Sequence, residues 1–90
     1  DKVALQVKFN NAVLYLEQEE YISAIHLFKQ TQKILKIPSF LNIGISYYKL
    51  KSFNNAYLYL NKIYQVKEAA TQDPYSYMSA TYYLFKVTNN

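Results

Sequence analysis

Ninety residues confine the chain to one domain, and a domain this small needs a core dense in large side chains. A composition that is 51% hydrophobic and 18% aromatic, with eleven tyrosines, supplies such a core and excludes an intrinsically disordered segment. Ten lysines against six acids give a net charge of +4, but the lysines are scattered and no arginine is present, which argues against a nucleic-acid surface.

Other absences narrow the class further. One glycine and two prolines cannot furnish the frequent turns of a sandwich or barrel, so helices joined by short links are expected. No cysteine is available for a disulfide, a thiolate zinc site or a thiol nucleophile. That lack fits a reducing compartment and slightly favours the cytoplasm, with the compartment itself left open. Apolar runs are far too short for a membrane span, so a soluble chain without membrane insertion is expected. Because the chain opens on Asp1, it is expected to be a piece of a longer protein.

In chain order, the first helix is expected over about residues 2–17, apolar around more than half its circumference as in a helix packed on two sides. The polar cluster Glu17-Gln18-Glu19-Glu20 separates it from a second helix, about 20–36, whose stripe is Tyr21, Ala24, Ile25, Phe28 and Leu35. A third, about 38–50, starts near Pro38 and again has a broad apolar surface. After the short Lys51-Ser52 link comes a fourth, about 53–68, with a stripe of Phe53, Ala56, Tyr57, Leu60, Ile63 and Tyr64. Asp73-Pro74 offers an N-cap acid followed by proline at the first helical position, opening a fifth helix over about 74–87. Links this brief make helices within a pair antiparallel neighbours.

Internal repetition organises these segments. Aligning Ala24 with Ala56 brings Ala12 over Gly44, Tyr15 over Tyr47, Leu16 over Tyr48, Tyr21 over Phe53 and Phe28 over Leu60, an offset of 32 residues. Small residues at Ala12, Gly44, Ala24 and Ala56 let the helices of a pair approach, and aromatics fill the remaining wedge. A third unit begins at Pro74-Tyr75, with Ser79 in the small position and Tyr82-Tyr83 echoing Tyr47-Tyr48.

A small residue followed three positions later by Tyr, then an aromatic before Ala and a large apolar residue four further on, resembles the tetratricopeptide repeat (TPR) family. The closest stretch is Asn42-Ile43-Gly44-Ile45-Ser46-Tyr47-Tyr48-Lys49-Leu50. The resemblance implies an all-α fold of antiparallel helix pairs stacked as a short right-handed solenoid. Its first repeat would span about 5–36, its second about 37–71, and a partial repeat or capping helix about 72–87. The family's repeat is about 34 residues, whereas the small positions here step by 32 and then by 35, and Glu19 and Lys51 replace the usual turn glycine. The inter-repeat turns are therefore expected to differ. A five-helix bundle without superhelical stacking is the alternative, with most of the same helix map.

TPR proteins bind a peptide or partner helix in a groove lined by first helices. Carried onto this sequence, the ligand-facing positions are Gln6, Phe9, Val13, Leu16 and Glu17; then Leu41, Asn42, Ile45, Tyr48 and Lys49; then Ser76, Ala80, Tyr83 and Leu84. Of the carboxylate clamp used by chaperone-binding members only Asn42 is retained, so the implied ligand is an apolar or amphipathic segment of another protein. For Phe9, Val13, Leu41 and Ile45, packing between helices is the competing role. Tyr48 and Tyr83 suit a groove rim, where their hydroxyls meet water. No catalytic, metal or cofactor residues are assigned: His26 is the lone histidine, expected on an outer or packed face, and Glu17, Glu19 and Glu20 read as a solvated turn. The second functional reading is a scaffold unit that stacks on further repeats or self-associates through its ends, because Tyr82, Leu84 and Phe85 do not make a polar cap.

Overall fold

The computed structural model describes residues 1–89, and within them the chain is all-helical. Six helices follow one another: α1 Lys2–Glu17, α2 Tyr21–Thr31, α3 Lys36–Lys49, α4 Phe53–Ile63, α5 Ala69–Gln72 and α6 Pro74–Thr88. The Asp1 carboxylate caps α1 by accepting from the Ala4 amide at 2.8 Å. Asp73 does the same for α6, accepting from the Ser76 amide at 3.0 Å while Pro74 takes the first helical position.

Each long helix packs on the next, and α3 also touches α1 on one side and α6 on the other. The result is two layers, α1, α3 and α6 in one and α2 and α4 in the other. The smallest dimension of the Cα envelope is 17 Å, near the ~13–15 Å of two helix layers at ordinary spacing.

The shared turn geometry follows the 32-residue repeat. At the end of α1, the Glu20 amide donates to the Tyr15 carbonyl (2.8 Å) and the Glu19 amide to that of Leu16 (3.0 Å). At the end of α3, Ser52 donates to Tyr47 and Lys51 to Tyr48, both at 2.9 Å. This is the Schellman pattern, whose C′ residue must be left-handed. Glu19 and Lys51 adopt that conformation at φ 63° and 62° without being glycine, so the absence of glycine leaves the turn unchanged.

The second members of each pair are shorter than expected. Helix α2 stops at Thr31 because the Thr31 hydroxyl turns inward, donating to the Phe28 carbonyl (3.0 Å) and sharing a 2.7 Å hydrogen bond with the Ser39 hydroxyl of α3. Both residues are fully buried, so this polar pair fastens the end of α2 to the first turn of α3. Helix α3 accordingly starts at Lys36, with Pro38 inside its first turn. Helix α4 ends at Ile63 and tightens into bonds to the third residue back, from Tyr64 to Asn61, Gln65 to Lys62 and Val66 to Ile63. The fourth helix, expected to reach about residue 68, thus ends early, and a left-handed Glu68 (φ 59°) leads into the short α5, in the stretch left between the fourth and fifth expected helices.

Two apolar clusters form the core. One joins Ala12, Ala24, Ile25, Phe28 and Ile43; the other joins Ile37, Leu41, Ala56, Leu60, Ile63, Ala69, Ala80 and Val87. The small positions set the helix spacing. A Cβ added at Gly44 would lie 2.5 Å from Cγ and 2.6 Å from Cδ2 of Leu60, so only glycine admits α4 this close to α3. In α6 the fully sealed small residue is Ala80, while Ser79, expected in that role, is only half-buried.

Candidate functional site

The layer of α1, α3 and α6 carries the positions assigned to a binding groove. On α1, Phe9 and Val13 are half-buried and Gln6 and Glu17 exposed; the Phe9 ring meets Phe28 edge-on at 5.3 Å. On α3, Asn42, Ile45 and Tyr48 are half-buried and Lys49 is exposed. Tyr83 and Leu84 of α6 are half-buried. Tyr48 joins two helices, its ring 5.9 Å from Phe53 and 5.5 Å from Tyr83 in a T-shaped contact.

Three assigned positions are sealed inside the core and present no surface to a partner: Leu41 (6% exposed), Ser76 (5%) and Ala80 (0%). Leu41 and Ala80 belong to the cluster that holds Leu60 and Ile63 of α4. The TPR resemblance placed all three on the ligand-facing side, and helix packing closes that part of it instead. The Asn42 amide is engaged, donating to the Pro38 carbonyl at 2.9 Å, which leaves that side chain a helix-internal brace.

What is left is a strip of half-buried apolar and aromatic side chains, Phe9, Val13, Ile45, Tyr48 and Tyr83, edged by Gln6, Glu17 and Lys49. Burial raises the Tyr83 phenol above its ordinary value of 10.0, with the neighbouring Tyr82 and Tyr48 acting in the same direction. No buried side-chain polar atom lacks a partner among the described residues, so the hydroxyls of Tyr48 and Tyr83 reach solvent at the strip's edge.

Two features were not read from the sequence. The first is a ladder that joins α3 to the α2 and α4 layer: the Lys29 ammonium donates to the Tyr47 hydroxyl (3.1 Å) and lies 5.7 Å from the Tyr59 ring, while Lys62 lies 5.7 Å from Tyr59 and 5.9 Å from Phe40. The hydrogen bond to Tyr47 raises the Lys29 pKa above its ordinary 10.5, against a smaller opposing effect of burial. These residues come from three helices, so no spacing within one helix announces them. The second is an open hollow of about 810 Å³ between the start of α3 and the end of α4, walled by Ile37, Phe40 and Val66 with Lys36, Lys62 and Lys67 at its edge.

Other outer surfaces are apolar. On α6, Tyr75, Met78, Tyr82 and Phe85 are 77%, 71%, 55% and 63% exposed. Leu84, expected with Tyr82 and Phe85 on the unfinished end, instead packs partly on the core. His26 is exposed on α2. Among the described residues no group of three His, Cys, Asp or Glu is placed to hold a metal ion, and no helix is long and apolar enough to cross a membrane. No protein-family model, no curated protein and no solved structure matches this chain, so residue geometry alone carries its functional reading.

Proposed function

We propose that this chain is a non-catalytic protein–protein interaction module of the TPR type, a short right-handed stack of two helix pairs and a further first helix. It binds an apolar or amphipathic peptide or helix of another protein across α1, α3 and α6. The observation that supports this most directly is the strip of Phe9, Val13, Ile45, Tyr48 and Tyr83, contributed by three adjacent helices of one layer and half open to solvent. Aromatic side chains there offer large contact area at low rotamer cost. The recurrence of the Glu19 turn at Lys51 and the small positions at Ala12, Gly44, Ala24 and Ala56 support the repeat reading.

The test is selection from a displayed library of amphipathic helical peptides, followed by fluorescence anisotropy with the selected sequence. Ile45→Lys is expected to weaken binding at least tenfold, and Tyr75→Lys on the outer side of α6 to leave it unchanged, with both variants as helical as the parent. Equal binding by the parent and Ile45→Lys refutes the groove. The second reading, a scaffold unit that assembles through its ends, is favoured by the exposed row on α6.

A further inference from the structure

The apolar row on α6 repeats a face that this chain already uses once. Tyr75, Met78, Tyr82 and Phe85 stand 35 positions after Phe40, Ile43, Tyr47 and Leu50 of α3. On α3 the first three are covered: the rings of Phe40 and Tyr47 lie 6.4 and 5.8 Å from Tyr59 of α4, Ile43 is fully buried, and only Leu50 at the C-cap is exposed, at 39%. On α6 every one of the four is more than half exposed. The spacing of three, four and three residues is that of a helix–helix seam.

The geometry points to a second copy of this chain as the occupant, with two α6 helices packed antiparallel about a twofold axis. This rests on the assembly reading and is independent of the groove. The row is self-complementary in that direction: Tyr75 falls opposite Phe85 of the second copy and Met78 opposite its Tyr82, so each layer pairs two large apolar side chains. The same register sets Asp73 level with Val87 of the other copy, one residue from Lys86, so opposite charges lie near each other at both ends of the seam. Sulfur–aromatic and aromatic–aromatic contacts then fill the centre.

Area bears on the strength of the contact. Four side chains at these exposures leave on the order of 500 Å² free per copy, taking roughly 200 Å² for each large side chain. Pairing two copies covers about 1,000 Å², the lower edge of a specific interface and the size of a reversible dimer. The other end of the stack does not offer the same fit. On α1 the exposed Val3, Val7 and Leu14 are interrupted by Asn10, and an antiparallel pairing sets Val7 against that asparagine.

Sedimentation equilibrium of the chain tests this. The weight-average mass is expected to rise from 10.6 kDa toward twice that value between roughly 1 µM and 1 mM, the range of a contact of this size. Met78→Lys, at a position 71% exposed and so neutral for folding, is expected to hold the mass at 10.6 kDa throughout with unchanged circular dichroism, and Ile45→Lys to leave dimerisation intact. Since the chain has no cysteine, Met78→Cys and Tyr82→Cys chains can be mixed in equal amounts and oxidised; an antiparallel seam gives the mixed disulfide as well over half of all disulfide, the share that random pairing produces. A parent chain that stays monomeric at 1 mM, a Met78→Lys chain that still dimerises, or a mixed disulfide at or below half of the total overturns the proposal. Capture of an added peptide of residues 53–63 by a chain that stays monomeric overturns it also, and assigns the face to a further helix.

Discussion

Gly44→Ala adds one methyl group where the chain has no room for it. The new Cβ would stand 2.5 Å from Cγ and 2.6 Å from Cδ2 of Leu60, about an ångström inside ordinary carbon–carbon contact. Leu60 is fully buried, so it cannot swing into solvent and must displace core neighbours instead. Overpacking of this kind costs roughly 1–3 kcal/mol. Alanine in a helix interior returns about 1 kcal/mol relative to glycine. The net expectation is a loss of about 1 kcal/mol, which lowers the melting temperature by roughly 4–8 °C in a domain of this size. Leu60→Ala removes the obstacle at its own cost of about 2–5 kcal/mol. In that background Gly44→Ala keeps only the helix-propensity gain and is expected to stabilise by about 1 kcal/mol. Urea denaturation of the four proteins in the cycle measures a coupling near 2 kcal/mol with a change of sign. If Gly44→Ala stabilises the parent chain as much as it stabilises the Leu60→Ala chain, the account of this glycine as a steric requirement is wrong.

Other expectations follow from the same contacts. Lys51→Gly relieves a left-handed lysine at φ 62° and is expected to stabilise by about 1 kcal/mol in chemical denaturation, with Glu19→Gly acting alike. Thr31→Val leaves the buried Ser39 hydroxyl without its 2.7 Å partner and is expected to lose about 1–3 kcal/mol; adding Ser39→Ala should recover much of that loss, and no recovery speaks against the pair as the fastening of α2 to α3. Lys29 and Tyr83 both have pKa values raised in the folded state, so each favours the protonated form there. The stability they contribute is complete below their ordinary values of 10.5 and 10.0 and falls as pH rises through the folded values. Thermal melts are therefore expected to drop above about pH 10, less steeply in Tyr83→Phe, and an equally steep drop in that variant contradicts the Tyr83 contribution.

Much of the helix framework follows from local chemistry. Asp73-Pro74 starts α6 where a capping acid and a fixed φ place it, and Ala12, Ala24, Gly44 and Ala56 occupy fully closed contacts as their 32-residue recurrence suggested. Part of the site was legible by the same means. Tyr48 and Tyr83 keep the partial exposure expected of a groove rim, whereas Leu41, Ser76 and Ala80, carried over from the TPR resemblance, are buried. Periodicity puts a side chain on a face of its own helix and carries no information about which neighbour covers that face.

The sequence by itself therefore determined an all-helical chain, the starts of its long helices and the positions where helices approach closely. Those depend on caps, proline and residue size within a few positions. Only the tertiary structure decided that α2 ends at Thr31, that α4 stops at Ile63, and that Lys29, Tyr47, Tyr59 and Lys62 form one ladder. It also decided that Tyr75, Met78, Tyr82 and Phe85 lie bare where the equivalent face of α3 is covered. The Thr31–Ser39 pair, the ladder and the cover over a helix face each depend on whether another helix lies alongside, and such proximity is set in three dimensions that no single helical period encodes.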